Sequence, residues 1–292
     1  MPELPDLAIV ADAFHAALAG RQVTSALATA PLAVRGTPSE LQALTGQRLE
    51  SVRRTGKFLV FDLAPHAVVV NPMLTGRFQL GSPTAKRPAK TALVLAFGSR
   101  TGGPPQSAAP WTRGADWIPP DAQSVEVRFR DPTQMGKVYL VPPGVDRLIP
   151  GFGTDERGPD ADDPALTREV WHERIRRHSG ELKNLLRNQA FVAGIGNAYS
   201  DEILHEAGLL PFRKRSTLQP TEIDALYDAT RSTLPRAIDV LRRRVPPTFE
   251  TQVRDFLAVH DKGGQGCPRC GTRITQVSPG GFVTSYCRGC QR

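Results

Sequence analysis

The chain has 292 residues, with 37 Lys plus Arg against 29 Asp plus Glu and a formal net charge of +8. At roughly 150 residues per domain that length predicts about two domains, each able to bury its own core. No stretch approaches the ~20 uninterrupted apolar residues of a membrane helix, and MPELPDLAIV has no basic segment ahead of an apolar run. A membrane-spanning protein and an export precursor are therefore both disfavoured, and a polyanionic partner is favoured. Charge is placed unevenly: 16 basic against 11 acidic residues in 1–149, 2 against 6 in 150–169, and 19 against 12 in 170–292. All four cysteines fall in the last 26 residues.

In chain order, residues 6–18 carry apolar side chains at helical spacing (Leu7, Val10, Ala11, Phe14, Leu18), and Gly20 stops the run. Short strand-like runs follow at 49–54, 58–63, 67–71, 78–80, 92–97, 125–130 and 138–141, with VEVRFR alternating most clearly. Residues 98–123, dense in Gly, Pro and Ser and carrying Trp111 and Trp117, read as a long loop, disordered or placed over a pocket. The acidic stretch 150–169 reads as a linker. Beyond it, 170–178, 182–189, 198–207 and 223–244 have helical periodicity, and a Gly/Cys-rich tail closes the chain. The expected division is 1–149, a β-rich domain with a leading helix; 150–169, a linker; 170–262, a helical domain; and 263–292, a four-cysteine module.

The tail contains CPRC and CRGC separated by sixteen residues: Cys267, Cys270, Cys287 and Cys290. Two C-x2-C knuckles supply four thiolates for one tetrahedral, structural Zn²⁺, with Pro279-Gly280-Gly281 as the turn of a hairpin between them. Disulfides are disfavoured without an export signal, and a redox C-x-x-C needs no partner knuckle. Arg269, Arg273, Arg288 and Arg292 flank the knuckles and could face phosphates.

A second constellation is VAGIGNAYSDEIL at 192–204. Gly194 and Gly196 allow a tight turn before a helix start, a geometry suited to phosphate but equally to a plain helix–turn–helix connection. Lys183 and Arg187 on the preceding helix tilt the balance toward phosphate. The third feature is the N-terminus. With Met1 removed, Pro2 presents a secondary amine, and an α-amino group with an unperturbed pKa near ~8 is partly neutral at pH 7. Such an amine can attack a sugar aldehyde carbon to form a Schiff base, and Glu3 beside it can move protons.

Together these features resemble the formamidopyrimidine-DNA glycosylase / endonuclease VIII family of base-excision-repair enzymes. The resemblance covers nearly the whole chain: MPELPD, TGKFLVF around Lys57, DPTQMG at 131–136, GIGNAYSDEILHEAGLLP, and the four-cysteine module ending in CQR, in the family's order. Leu4 sides with the formamidopyrimidine branch. It implies an α+β fold of two domains: an N-terminal β-sandwich with a leading helix, then a helix–two-turn–helix domain with a zinc-finger β-hairpin. It further implies a bifunctional glycosylase and abasic-site lyase acting on damaged double-stranded DNA, with Pro2 as nucleophile, Glu3 as acid/base and Lys57 assisting. Lys183 and Asn197 would hold phosphates. The active site would lie in a basic cleft between the domains of a cytoplasmic, nucleoid-associated, bacterial-type monomer, with no organic cofactor.

The chain also departs from that pattern. Thr133, Gln134 and Met135 stand where the family has two Arg and a Phe, and Leu74 replaces the usual void-filling Met. Asn71 replaces a frequent His, Asp6 a Glu, and Phe282 an Arg at the hairpin tip. Leu74 and Met135 can still act as apolar wedges beside a flipped nucleotide. Losing an Arg that reads the opposite base removes about 1–3 kcal/mol of discrimination, so an altered lesion preference is expected. The alternative is a non-catalytic or weakly active zinc-containing paralogue that binds damaged DNA.

Overall fold

The first helix, α1 (Leu4–Leu18), begins two residues before the apolar spacing alone indicates. Pro5 fits the first helical turn, where its missing N–H costs nothing, and the Asp6 carboxylate accepts the Glu3 backbone N–H at 2.7 Å. This cap fixes the start. Leu4, Leu7, Ile9, Val10, Phe14 and Leu18 are all buried, so the helix is a core element rather than a surface one.

The computed structural model describes residues 1–100, 115–145, 147–153 and 157–292. They form two compact units, Met1–Ile149 with Ile238–Val253, and Pro150–Ala237 with Arg254–Arg292. Besides α1, the first unit contains β1 (Arg21–Ala28), β2 (Val34–Arg35), α2 (Pro38–Gln42), β3 (Arg48–Thr55), β4 (Phe58–Ala64), β5 (Ala67–Asn71), β6 (Arg77–Gly81), β7 (Thr91–Arg100), β8 (Val125–Arg130) and β9 (Lys137–Val141). Their order is β2-β9-β5-β4-β3-β1-β7-β8-β6, antiparallel except for β2 against β9. The β1–β3 link is a single pair, Gln22 with Arg48, so the strands divide into the two layers of a sandwich. Phe14 of α1 meets Phe61 of one layer and Phe78 of the other, at ring separations of 6.4 and 6.1 Å.

Strand β1 escaped the sequence reading, and the reason is physical. Its first residue, Arg21, is fully buried, and its guanidinium donates to the carbonyls of Ala17, Gly98, Pro119, Pro120 and Gln123. A charged side chain inside a strand defeats an apolar-periodicity test, yet saturated hydrogen bonding makes the burial tolerable. The same contacts pin the far end of the long loop. Strand β7 runs to Arg100, past the expected loop start at 98; residues 101–114, Trp111 among them, lie outside the described residues. Trp117 packs edge-on against Phe249 at 5.8 Å.

In the second unit, α3 (Arg168–Arg176), α4 (Leu182–Arg187) and α5 (Asn197–Ala207) are followed by α6 (Pro220–Arg244), whose last turns, from Ile238, belong to the first unit. The described part of the acidic segment is packed into this unit rather than left as a free tether. Gly158 N–H donates to Gln189, Ala161 pairs with Ala193, and Arg231 donates to Asp163 O. Ala161 and Leu166 are buried, two apolar anchors hidden in an acidic composition. Strands β10 (Thr275–Val277) and β11 (Thr284–Tyr286) form the terminal hairpin around a 3₁₀ turn at Pro279–Gly281. No helix among the described residues is long and apolar enough to cross a membrane.

Candidate active site and nucleic-acid interface

Pro2 and Glu3 are buried at the positive end of α1, Glu3 with 3% of its surface exposed. Pro2 lines a small pocket with Asp6, Leu7, Gly76, Phe249 and Gln252. Arg77 reaches the same wall, donating to Gln252 Oε1 at 2.9 Å, and Gln252 Nε2 donates to Met1 O at 3.0 Å. Gln252 and Arg77 carry no sequence signature and were missed. Lys57 sits in the β3–β4 turn, where Gly56 adopts a φ of +57°.

Two loops of this unit present the wedge candidates. Leu74 follows β5 and Met135 follows β8, with 46% and 43% of their surfaces exposed. The loops are stitched at their bases by Asp131, which is almost fully buried. Its carboxylate accepts from the Thr75 hydroxyl, from the Thr133 N–H at 3.3 Å and from the Gly136 N–H at 2.6 Å. Thr75 and Thr133 hydroxyls also meet at 2.7 Å. Thr133, where the resemblance would place an arginine, thus closes a cross-link between loops. Gln134 takes a left-handed φ of +55°. Neither loop glycine is replaceable: a Cβ on Gly76 would lie 2.3 Å from Pro72 O, and one on Gly136 would lie 2.7 Å from Phe129.

In the second unit, the α4–α5 turn is held by Gln189, whose side chain donates to Ile195 O and accepts from Gly194 N–H. Gly194 has a φ of +99°, which only glycine adopts readily. Asn197 opens α5, and its Nδ2 donates to Val283 O at 2.9 Å. Lys183 is only 4% exposed, and its ammonium donates to Asp201 and to the same Val283 carbonyl, each at 2.7 Å. Both sequence-selected polar residues therefore converge on the hairpin. Asp201, which the sequence reading passed over, is the hub: it also accepts from Ser285 N–H and pairs with His260 Nδ1. Its neighbour Glu202 accepts the backbone N–H groups of Ala258, Val259 and His260, although burial pushes its carboxyl above the ordinary range. Phe282 stands at the hairpin tip, 47% exposed, with the Arg187 guanidinium 3.9 Å from its ring centre.

The Sγ atoms of Cys267, Cys270, Cys287 and Cys290 lie within 4.8 Å of one another, and no disulfide joins them. Each knuckle turns back on itself, Gly271 N–H donating to Cys267 O and Gln291 N–H to Cys287 O. Hydrogen bonds from Thr272 bring the Cys270 thiol down to about 6, whereas burial and neighbouring thiols push Cys290 up to about 12. Four thiolates coexist here only with a cation to neutralise them, and four soft sulfurs fit Zn²⁺. His205 of α5 supports the cluster, with Nε2 3.3 Å from Cys267 Sγ.

The sequence model described as the formamidopyrimidine-DNA glycosylase N-terminal domain matches residues 1–138, and that of the H2TH domain matches 157–245. The formamidopyrimidine-DNA glycosylase of Pelotomaculum thermopropionicum is 31% identical, covering all of this chain and 99% of the relative. That of Symbiobacterium thermophilum is 30% identical, covering all of this chain and 89% of the relative. Among solved structures, a Lactococcus lactis formamidopyrimidine-DNA glycosylase bound non-covalently to DNA containing an abasic site superposes with a TM-score of 0.79 at 25% identity, covering 99% of each chain. A point mutant of the Lactococcus enzyme, in complex with DNA containing a formamidopyrimidine lesion, gives 0.81 at 25% identity over the whole of both chains.

Proposed function

The chain belongs to the formamidopyrimidine-DNA glycosylase family, and on that premise we propose that it excises damaged bases from double-stranded DNA and cleaves the abasic product. The observation that carries this reading is the buried Pro2–Glu3 pair at the positive end of α1, beside a small pocket. With Met1 removed, the Pro2 amine stands where the helix dipole disfavours its protonated form. The neutral amine attacks C1′ of the flipped nucleotide; the C1′–N bond breaks, and the base leaves with the proton that the Pro2 nitrogen releases. Ring opening gives an iminium between Pro2 and C1′, with Glu3 supplying the proton taken up by the ring oxygen. Loss of a proton from C2′ then expels the 3′ phosphate, and hydrolysis of the iminium frees Pro2. Lys57 assists at the sugar–phosphate.

Leu74 and Met135 fill the space left by the flipped nucleotide. Lesion preference is altered, since Thr133 and Gln134 lack the charged donors of an arginine pair. Lys183 and Asn197 act on DNA through the hairpin carbonyl they hold. Cys267, Cys270, Cys287 and Cys290 hold one structural Zn²⁺, which fixes the hairpin and takes no part in bond making.

Borohydride reduction in the presence of an abasic-site duplex tests the reading. A covalent protein–DNA adduct is expected, lost when a residue is added before Pro2 and partly kept in Pro2→Gly, whose α-amine survives. Correctly processed protein that binds the duplex yet gives no adduct overturns the enzyme reading in favour of a damaged-DNA binder.

A further inference from the structure

We propose that Arg187, seated over the ring of Phe282, is the residue with which the hairpin tip grips a nucleic-acid backbone phosphate. The inference rests on the DNA-binding reading above and adds the group that makes the contact. The guanidinium carbon lies 3.9 Å from the ring centre, well within the range of a cation–π contact that holds the charge over the ring. A cation on a ring face keeps its hydrogen-bond donors for other partners, and a planar fork of donors matches two phosphate oxygens. Among the described residues no carboxylate pairs with Arg187 and no carbonyl accepts from its side chain, which meets the ring instead.

The tip itself is held in place for this use. Val283 O, next to Phe282, accepts from both Lys183 Nζ and Asn197 Nδ2, so the ring is anchored from its neighbour. Phe282 keeps 47% of its surface exposed, and Arg187 is partly exposed at the last turn of α4. Phe282 brings no charge to the tip; the cation comes instead from a helix 95 residues earlier in the chain, and the aromatic ring holds it there.

The test is DNA affinity against salt, read by fluorescence anisotropy with an abasic-analogue duplex, for the full-length zinc-loaded protein. Losing one phosphate contact lowers the log–log salt slope by about 0.9 and weakens binding most at low salt. Arg187→Gln is expected to do both, Phe282→Ala to reproduce most of the loss, and the double variant to add little. Phe282→Arg placed in the Arg187→Gln background is expected to restore the slope, since the tip then carries its own charge. Zinc content and thermal unfolding should be unchanged in each. If the unaltered protein binds but Arg187→Gln keeps its slope, this inference fails while the glycosylase reading stands; if the unaltered protein does not bind, both fall.

Discussion

Lys183 of α4 and Asp201 of α5 form an ion pair at 2.7 Å, closed off from solvent on both sides. The pair joins the two helices flanking the GIG turn, and its two members together hold Val283 O and Ser285 N–H of the terminal hairpin. A buried ion pair is weak evidence for stability in itself, but removing one partner leaves an uncompensated charge. Lys183→Met is therefore expected to cost about 3–5 kcal/mol, read by denaturant unfolding. A variant that unfolds like the parent while losing only DNA affinity would place the ammonium on phosphate instead.

The stitched loops make a separable prediction. Leu74→Ala and Met135→Ala remove exposed side chains, so stability should stay within about 0.5 kcal/mol while excision slows. Thr75→Val breaks the cross-link to Asp131 and Thr133 and should slow excision as well, with a measurable loss of stability because Asp131 is left short of a donor.

Gln134→Arg returns a charged donor to the exposed 131–136 loop without altering its backbone class. Opposite-base discrimination, measured as excision rates on duplexes with each of the four opposite bases, should rise by roughly 5- to 150-fold if one bidentate pair worth about 1–3 kcal/mol is formed. An unchanged profile would mean the loop does not face the opposite base.

Metal loss should act on the hairpin. Chelation, or Cys287→Ser, is expected to weaken DNA binding and release protected backbone around residues 267–291, followed by hydrogen exchange. His205→Phe removes the partner of Cys267 and should lower zinc affinity by roughly 10- to 100-fold in competition with a colorimetric chelator.

Acid sensitivity should trace in part to Glu126. Burial opposes its ionisation, but hydrogen bonds and charge from Arg87 and Arg128 outweigh it and hold the carboxyl below its ordinary 4.5. A carboxyl depressed in the folded state contributes stability above its unfolded value and loses it as pH falls through the folded one. Unfolding free energy should thus drop below about pH 4.5, and Glu126→Gln should start lower but decline less steeply.

What could be read from the chain directly was whatever repeats or punctuates locally. The leading helix, seven of the strands, the four long helical runs and both cysteine knuckles follow from apolar period, glycine stops and C-x2-C spacing, because each is set by neighbours a few residues away. The cysteine cluster was legible for the same reason, since two short spacings define it; Pro2 and Glu3 were singled out from their place beside the N-terminus and enter the proposed chemistry on that ground. Tertiary structure decided the rest. Arg21 looks like a surface residue until five carbonyls from three segments close around it. That Lys183 meets Asp201, and that Thr133 meets Thr75 from another loop, no local pattern announces. The net charge of +8 pointed to a polyanion but not to which cations face it. Whether a charge is free for DNA or consumed by the fold depends on the burial and partners that distant segments bring, and no local pattern encodes those.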